Sequence, residues 1–485
     1  MNICFTSAYT IEMQNQEELL RLAAEKGVLI HPELKQKLVD DGETAQALMD
    51  LLSRSSELPL VITPDIVKNR SVGRINSEPG EVKIIKDVTG KSTSTGDVSD
   101  FAKYFTDRFR SIKKILLKRG DMSGVISISR AVTVDRDVKV IGIVNSVHTT
   151  KNGNKVLEIE DEEERCSVIL LNELASECVL KDEVIGVAGR MSRERKAIIA
   201  SHIIRPDVPF VRESEKIDSS SKLAVLSDIH VGSKTFLRKE WSSLIQWLKS
   251  NPEAREINYI LISGDLADGI GVYPDQEEDL EIDDIYSQYE RVAQYIQELP
   301  DWIKVIIIPG NHDAVRPAEP QPALQQELQN MFAGKVTFAG NPSNILIEGR
   351  KVLAYHGRSF DDVISSIPFL GWDKPLDAMV ELLKRRHLAP IYGEKTPLAP
   401  ESRDYMVIDE IPDIFITGHI HSFGLSEYRG VRLISGSTWQ AQTSYQKMRN
   451  ISPIPAKMPV CNLSDLSLGV VNFSSPNPSK IMRVL

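Results

Sequence analysis

The chain has 485 residues, of which 41% are hydrophobic, 26% charged and 6% aromatic, a composition that fits about three globular domains and excludes a disordered or collagenous protein. No apolar run approaches the roughly 18 residues of a spanning helix, and the first twenty residues, MNICFTSAYTIEMQNQEELL, lack the basic start, apolar stretch and cleavage site of an export signal, so a cytoplasmic protein with no membrane partner is expected. With a formal charge of −10 the molecule does not steer itself toward polyanions, and any contact with nucleic acid must use a local basic patch, metal ions or a partner subunit.

Residues 1–55 carry helical periodicity, in EELLRLAAEKG and HPELKQKLVDDGETAQALMDLLSR, and predict a small N-terminal helical module. Residues 56–100 turn polar toward DVTGKSTSTGDVSD and predict a flexible linker, with a short extended patch at EVKII. Within 101–137, DFAKYFTDRFRSIKKILLKRG reads as an amphipathic connecting helix that packs on the next domain and leaves its Lys and Arg in solvent. Removal of residues 1 to about 95 is therefore expected to leave the downstream chemistry intact.

Residues 138–205 break into five short apolar strands with a helical turn near LNELASEC, the order of an OB-fold barrel. Nucleic-acid OB-folds offer stacking aromatics, yet no Phe, Tyr or Trp falls between Val138 and Val208. A barrel that docks protein is expected. The four cysteines, Cys4, Cys166, Cys178 and Cys461, form no metal-binding or redox spacing and read as reduced filler.

From 222 to 485, apolar β-branched strands alternate with helices, an α/β (α+β) pattern whose ligand sites lie beyond the strands' carboxyl ends. Five motifs stand there: Asp228-Ile229-His230, Gly264-Asp265, Gly310-Asn311-His312-Asp313, His356-Gly357 and Gly418-His419-Ile420-His421. They hold five of the nine histidines. Taken singly, Asp-x-His is worthless as a motif, and His356 reads as a satisfied strand-end residue; five coincident strand ends are another matter. Carboxylates, an amide oxygen and at least four imidazoles form a mixed O/N set suited to Mn²⁺, Fe²⁺, Co²⁺ or Zn²⁺ more than Mg²⁺. So many groups exceed one ion and suit a pair sharing a carboxylate, the arrangement used for hydrolysis at phosphorus.

This series resembles the calcineurin-like metallophosphoesterase family, and none of its pattern is missing. The resemblance implies a β-sandwich flanked by helices, with Asp228, His230 and His421 on one metal, Asn311, His356 and His419 on the other, and Asp265 bridging. It implies His312 as the phosphate-contacting proton donor, with Asp313 orienting its ring. Asp268 has no implied role and reads as a solvated loop residue or one behind the ligands.

An OB-like domain before a phosphoesterase domain is similar to the small subunits of replicative DNA polymerases. Residues 265–290, 386–400 and 436–460 resemble those of the archaeal family-D polymerase in particular. That resemblance implies an Mn²⁺-dependent 3′–5′ exonuclease that proofreads for a separate large polymerising subunit, acting on a single-stranded or mismatched 3′ end, with a sliding clamp or primase as further partners. A scaffold with a structural metal site is the alternative, and a stand-alone phosphomonoesterase or cyclic-nucleotide diesterase a third reading. The acidic run Asp275 to Asp284 is expected to be solvated or to face a partner, because it repels phosphate. Phe360, Tyr392 and Trp439 could stack a frayed base, although core packing is the ordinary fate of large aromatics.

Overall fold

The computed structural model describes residues 19–40, 44–45, 48–49, 51–52 and 61–64, and residues 80–485 except 193, 195–196, 211–215, 333, 335, 449, 476–477 and 479. The export-signal reading of the first eighteen residues and the linker reading of 56–60 and 65–79 lie outside them. The chain divides into two units, 1–80 and 81–485. In the first, strands β1 (Leu29–Ile30) and β2 (Val61–Ile62) pair in parallel beside a helix at Pro32–Asp40. Leu34, Leu48, Leu52 and Ile62 sit at the centre of its small core. No described helix is long and apolar enough to cross a membrane.

The second unit opens with a correction. Strand β3 (Val82–Lys86) falls on the extended patch expected at EVKII, but the segment is no flexible linker there, because it pairs antiparallel with a strand of the large domain. The polar residues after it are partners rather than solvated spacer: Asp87 accepts the Gly340 N–H (2.8 Å), and Glu401 accepts from Ser92 Oγ (2.6 Å) and Thr93 N–H (2.5 Å). Apolar content alone misreads such a segment, because edge pairing is made by backbone groups.

The helix Val98–Leu116 follows and packs Phe109, Ile112 and Leu116 against Ile141, Ile143 and Val184 of the barrel. Arg108, expected in solvent, is fully buried: its Nε donates to Asp404 (2.9 Å) and its guanidinium also to the Pro390 carbonyl (2.9 Å). A charge survives burial only when it is matched in this way.

The OB-like barrel is closed, with β4 (Asp137–Thr149), β5 (Lys155–Glu160), β6 (Arg165–Leu170), β8 (Ala197–Ile204) and β7 (Val184–Ser192) in that order around it. A 3₁₀ turn, Asn172–Ser176, stands between β6 and β7. Val140, Leu157, Ile159, Val168, Val187 and Ile198 fill its interior.

Two sheets form the sandwich. The seven-stranded one runs β12 (Val336–Phe338), β11 (Lys304–Ile308), β10 (Ile257–Ser263), β9 (Lys222–Leu226), β18 (Lys457–Asn462), β19 (Leu468–Asn472) and β20 (Met482–Arg483). The six-stranded one runs β16 (Phe423–Tyr428), β17 (Val431–Gly436), β15 (Ile414–Thr417), β14 (Arg350–Ala354), β13 (Ser343–Ile347) and β3. Leu223, Val225, Leu261 and Ile306 meet Ile345, Val352, Ile414 and Ile416 between the sheets. The opposite faces carry helices: Arg238–Ser250 and Ile285–Gln297 on one side, Phe360–Ser366 and Pro375–Arg385 on the other. Burial on both faces explains why these strands read as unbroken apolar runs.

Candidate metal centre

β9, β10 and β11 are mutually parallel, as are β14 and β15 in the facing sheet, so five carboxyl ends deliver their motifs to one edge of the sandwich. The turns are sharp. Asp228, His230, Asp265, His419 and His421 all adopt left-handed backbone, with φ of 51°, 53°, 52°, 72° and 52°, a conformation that costs a non-glycine residue roughly 1–2 kcal/mol. Strain of this kind clusters at functional sites. Glycine enters where backbone and ligand come too close for a side chain: a Cβ on Gly310 would lie 2.1 Å from Asp265 Oδ1, and one on Gly418 1.9 Å from Ser227 Oγ.

Among the described residues three groups of donors result, two made of the expected ligands and a third of His230, Asp268 and His312. Asp228, His230 and His421 offer atoms that all lie within 4.8 Å of one another, as do Asp265, His356 and His419. In the first group His230 Nε2 is 3.0 Å from His421 Nε2, and His421 Nε2 is 3.4 Å from Asp228 Oδ1. In the second, His356 Nε2 is 3.2 Å from Asp265 Oδ2 and 3.1 Å from Asn311 Oδ1. Asp265 Oδ2 also stands 3.7 Å from His230 Nε2, so this carboxylate lies between the groups.

Each ring is turned by a contact behind it. His230 Nδ1 donates to Asp268 Oδ1 (2.9 Å) and His356 Nδ1 to the Ser263 carbonyl (2.9 Å), which leaves both Nε2 atoms for the centre. His419 is engaged the other way, its Nε2 on Asp361 Oδ1 (3.2 Å), which leaves Nδ1. Gln446 Nε2 sits 2.8 Å from His421 Nδ1. Such contacts fix which nitrogen can ligate a metal.

Electrostatics agree with a cation. Burial alone would discharge the imidazoles, but against it Asp265 raises His356 to about 10, and Asp268 with Asp265 raises His230 to about 9. Burial works against ionised Asp265 as well, yet His356, His312 and His230 hold its carboxyl well below the usual range. A field that pulls protons onto two buried rings also favours metal. The donors, hard oxygen and borderline nitrogen, fit a pair of divalent transition ions.

His312 donates its N–H to Asp265 Oδ1 (2.8 Å) and its Nδ1–H to the Asp268 carbonyl (2.7 Å), and its ring stands edge-on to His230. The expectation that Asp313 orients this ring is therefore corrected. Asp313 is buried and accepts instead from the N–H groups of Gly310 (2.8 Å), Leu266 (3.2 Å) and Ala267 (3.4 Å) and from Tyr289 O–H (2.8 Å), pinning one motif to its neighbour. Burial, and then Asp265, push its carboxyl up to about 6. Of the two readings of Asp268, the structure fits the one behind the ligands: fully buried, it anchors His230 by its side chain and His312 by its carbonyl, while Gln440 Nε2 donates to its carboxylate (3.0 Å).

The other candidates fall outside the site. Phe360 and Trp439 are fully buried, and Tyr392 packs edge-on against Phe101 and Phe105. Sequence reasoning missed Asp361, Gln440 and Gln446, and only the closeness of Asp361 to His356 along the chain hinted at any of them.

Residues 221–423 match the calcineurin-like phosphoesterase family. Over a longer reach the chain is similar to three proteins named DNA polymerase II small subunit. That of Archaeoglobus fulgidus is 45% identical over 421 residues, 84% of each chain. That of Thermoplasma acidophilum is 39% identical over 466 residues, 95% of this chain and 94% of that one. That of Methanocaldococcus jannaschii is 44% identical over 392 residues, 78% of this chain and 66% of that one.

Proposed function

The chain belongs to the DNA polymerase II small-subunit family, and from that premise we propose that it is the proofreading 3′–5′ exonuclease of the polymerase, joined to a large polymerising subunit. The carrying observation is that every donor of a two-ion phosphoesterase centre, together with His312, meets at one edge of the sandwich with its ring nitrogens already assigned. A scaffold with a structural metal site would need the ligands but not His312.

Asp228, His230 and His421 would hold one divalent ion and Asn311, His356 and His419 the other, with Asp265 between; Mn²⁺ is the expected metal, and Fe²⁺, Co²⁺ or Zn²⁺ suit the same donors. Bound ions supply positive charge to the phosphoryl oxygens of a DNA backbone and acidify water. His312, with Nδ1–H tied to the Asp268 carbonyl, presents Nε2 to the substrate, where it holds and passes on a proton for the departing sugar oxygen. Asp268 and Asp361 keep the ligand rings from turning.

The test is degradation of an end-labelled, 3′-mismatched primer with Mn²⁺, by the chain alone and with its large subunit. Stepwise loss from the 3′ end is expected. His312→Ala should cut the rate by roughly 10²–10⁴-fold with metal still bound, and Asp265→Ala should lose both metals. Activity unchanged in either variant would remove the roles given to these residues, and an inert wild type in the full complex would favour the scaffold.

A further inference from the structure

Two segments between the motifs meet over one flank of the centre. The loop that follows Asp268 is pressed against His312, since a Cβ on Gly269 would come 2.5 Å from the His312 carbonyl oxygen. Tyr273 on this loop has its ring centroid 6.4 Å from that of His312. Its ring stacks on Tyr445, on the short helix Ser444–Met448, with centroids 5.4 Å apart and planes 30° from parallel, while its hydroxyl donates to Asp279 Oδ2 (3.1 Å). The next residue, Gln446, touches His421. The stacked pair thus reaches from the proposed proton carrier to the support of a proposed ligand.

A pair that merely zipped two loops together would bury its rings. Tyr445 instead stays 36% exposed, and Ile270 (45%), Val272 (38%) and Met448 (76%) extend an exposed apolar surface along the same two segments. Neighbouring charge restricts what can lie there. Gln276 is anchored on Asp268 (2.8 Å to its carbonyl), and the exposed Asp275, Glu277 and Glu278 stand on either side of it. A phosphate on this flank would meet like charge; a flat neutral ring would not. Cations lie beside the other donor group, where Arg358 and Lys395 act on Asp361, the partner of His419.

Resting on the exonuclease reading, we infer that the Tyr273–Tyr445 pair seats the 3′-terminal nucleobase of the strand being cut. An unpaired base, free to leave its duplex, reaches such a seat more readily than a paired one, which would let the site favour frayed ends without reading sequence.

The experiment varies ring and base together. The full chain with its large subunit is given DNA whose last 3′ nucleotide either carries a base or is abasic, and the two cleavage rates are compared for wild type, Tyr445→Ala and Tyr445→Phe. The wild type is expected to prefer the base-bearing end by about tenfold or more. That preference should fall to near unity in Tyr445→Ala and survive in Tyr445→Phe. Each preference is a ratio within one variant, so a partial loss of folding or metal cancels; Tyr273→Ala supplies the same ratio if the short helix does not tolerate alanine. An alanine variant that keeps the wild-type preference overturns the seat and leaves the exonuclease standing. A wild type that hydrolyses bis(p-nitrophenyl) phosphate but degrades no DNA overturns the exonuclease reading, and the seat with it.

Discussion

Asp268, just after the Gly264-Asp265 motif, and Asp313, at the end of the Gly310–Asp313 motif, are both buried, yet their carboxylates do different work. The Asp268 side chain meets His230, whereas its backbone carbonyl holds His312. Asp268→Ala should therefore weaken metal binding by about 10–100-fold while the His312 contact persists, as a metal titration followed by calorimetry would show. Asp313 ties together backbone groups of two turns, so Asp313→Ala should cost about 3 kcal/mol or more in denaturant unfolding, through donors left buried and unpaired. An unfolding midpoint matching the wild type would sink that account. The motif residues were legible because each directly follows an apolar strand, which gives a lone histidine a place in space. Their supports were not legible: Gln446 and His421 are neighbours only after folding, and nothing in a glutamine's surroundings along the chain marks it as facing an imidazole.

Strands β9 to β11, β14 and β15 were readable from apolar content, because sandwiching between helices and a second sheet makes them hydrophobic on both faces. Strand β3 was legible only as an extended patch and not as a sheet edge, since only Lys86, its last residue, is buried while Ile84 and Ile85 remain exposed. It holds the edge by pairing with β13 and by Lys86, whose Nζ donates to the Val407 carbonyl (2.7 Å) and Asp409 (2.7 Å). The two cuts in the chain accordingly differ. Removal of residues 1–80 leaves the second unit whole and should preserve its unfolding temperature. Removal through 95 strips the edge strand and the Ser92 and Thr93 contacts to the Glu401 carboxylate, leaving it only Arg316, and should lower the unfolding temperature by several degrees, since about 1 kcal/mol corresponds to roughly 2–4 °C in domains of 150–250 residues. Indistinguishable melting of the two truncations would argue that the strand contributes nothing.

Across the second unit, barrel and sandwich are joined through buried charge. Arg108 from the connecting helix meets Asp404, and His387 donates its Nε2–H to the same carboxylate (2.8 Å) while its Nδ1 accepts the Ala389 N–H (3.0 Å). That ring is neutral: burial, and then Arg108, lower its pKa from 6.5 to about 4. The unfolded chain takes up this proton near pH 6.5 and the folded chain only near pH 4. The contribution is thus whole above about pH 6.5 and is lost as pH falls toward 4, by about 3 kcal/mol in all. Thermal unfolding at pH 7 and pH 4.5 should show a smaller acid loss in His387→Gln than in the wild type, and equal losses would clear the histidine of any part in it.

One edge of the sandwich receives Asp228, His230, Asp265 and Asn311 from one sheet and His356, His419 and His421 from the other. Ions held there would be clasps across the two sheets, and a ligand that binds only the folded chain stabilises it by mass action, about 2.7 kcal/mol at a hundred times its dissociation constant. A cell starved of the metal would then run short of the subunit itself, through misfolding and turnover, as well as of the proposed exonuclease activity.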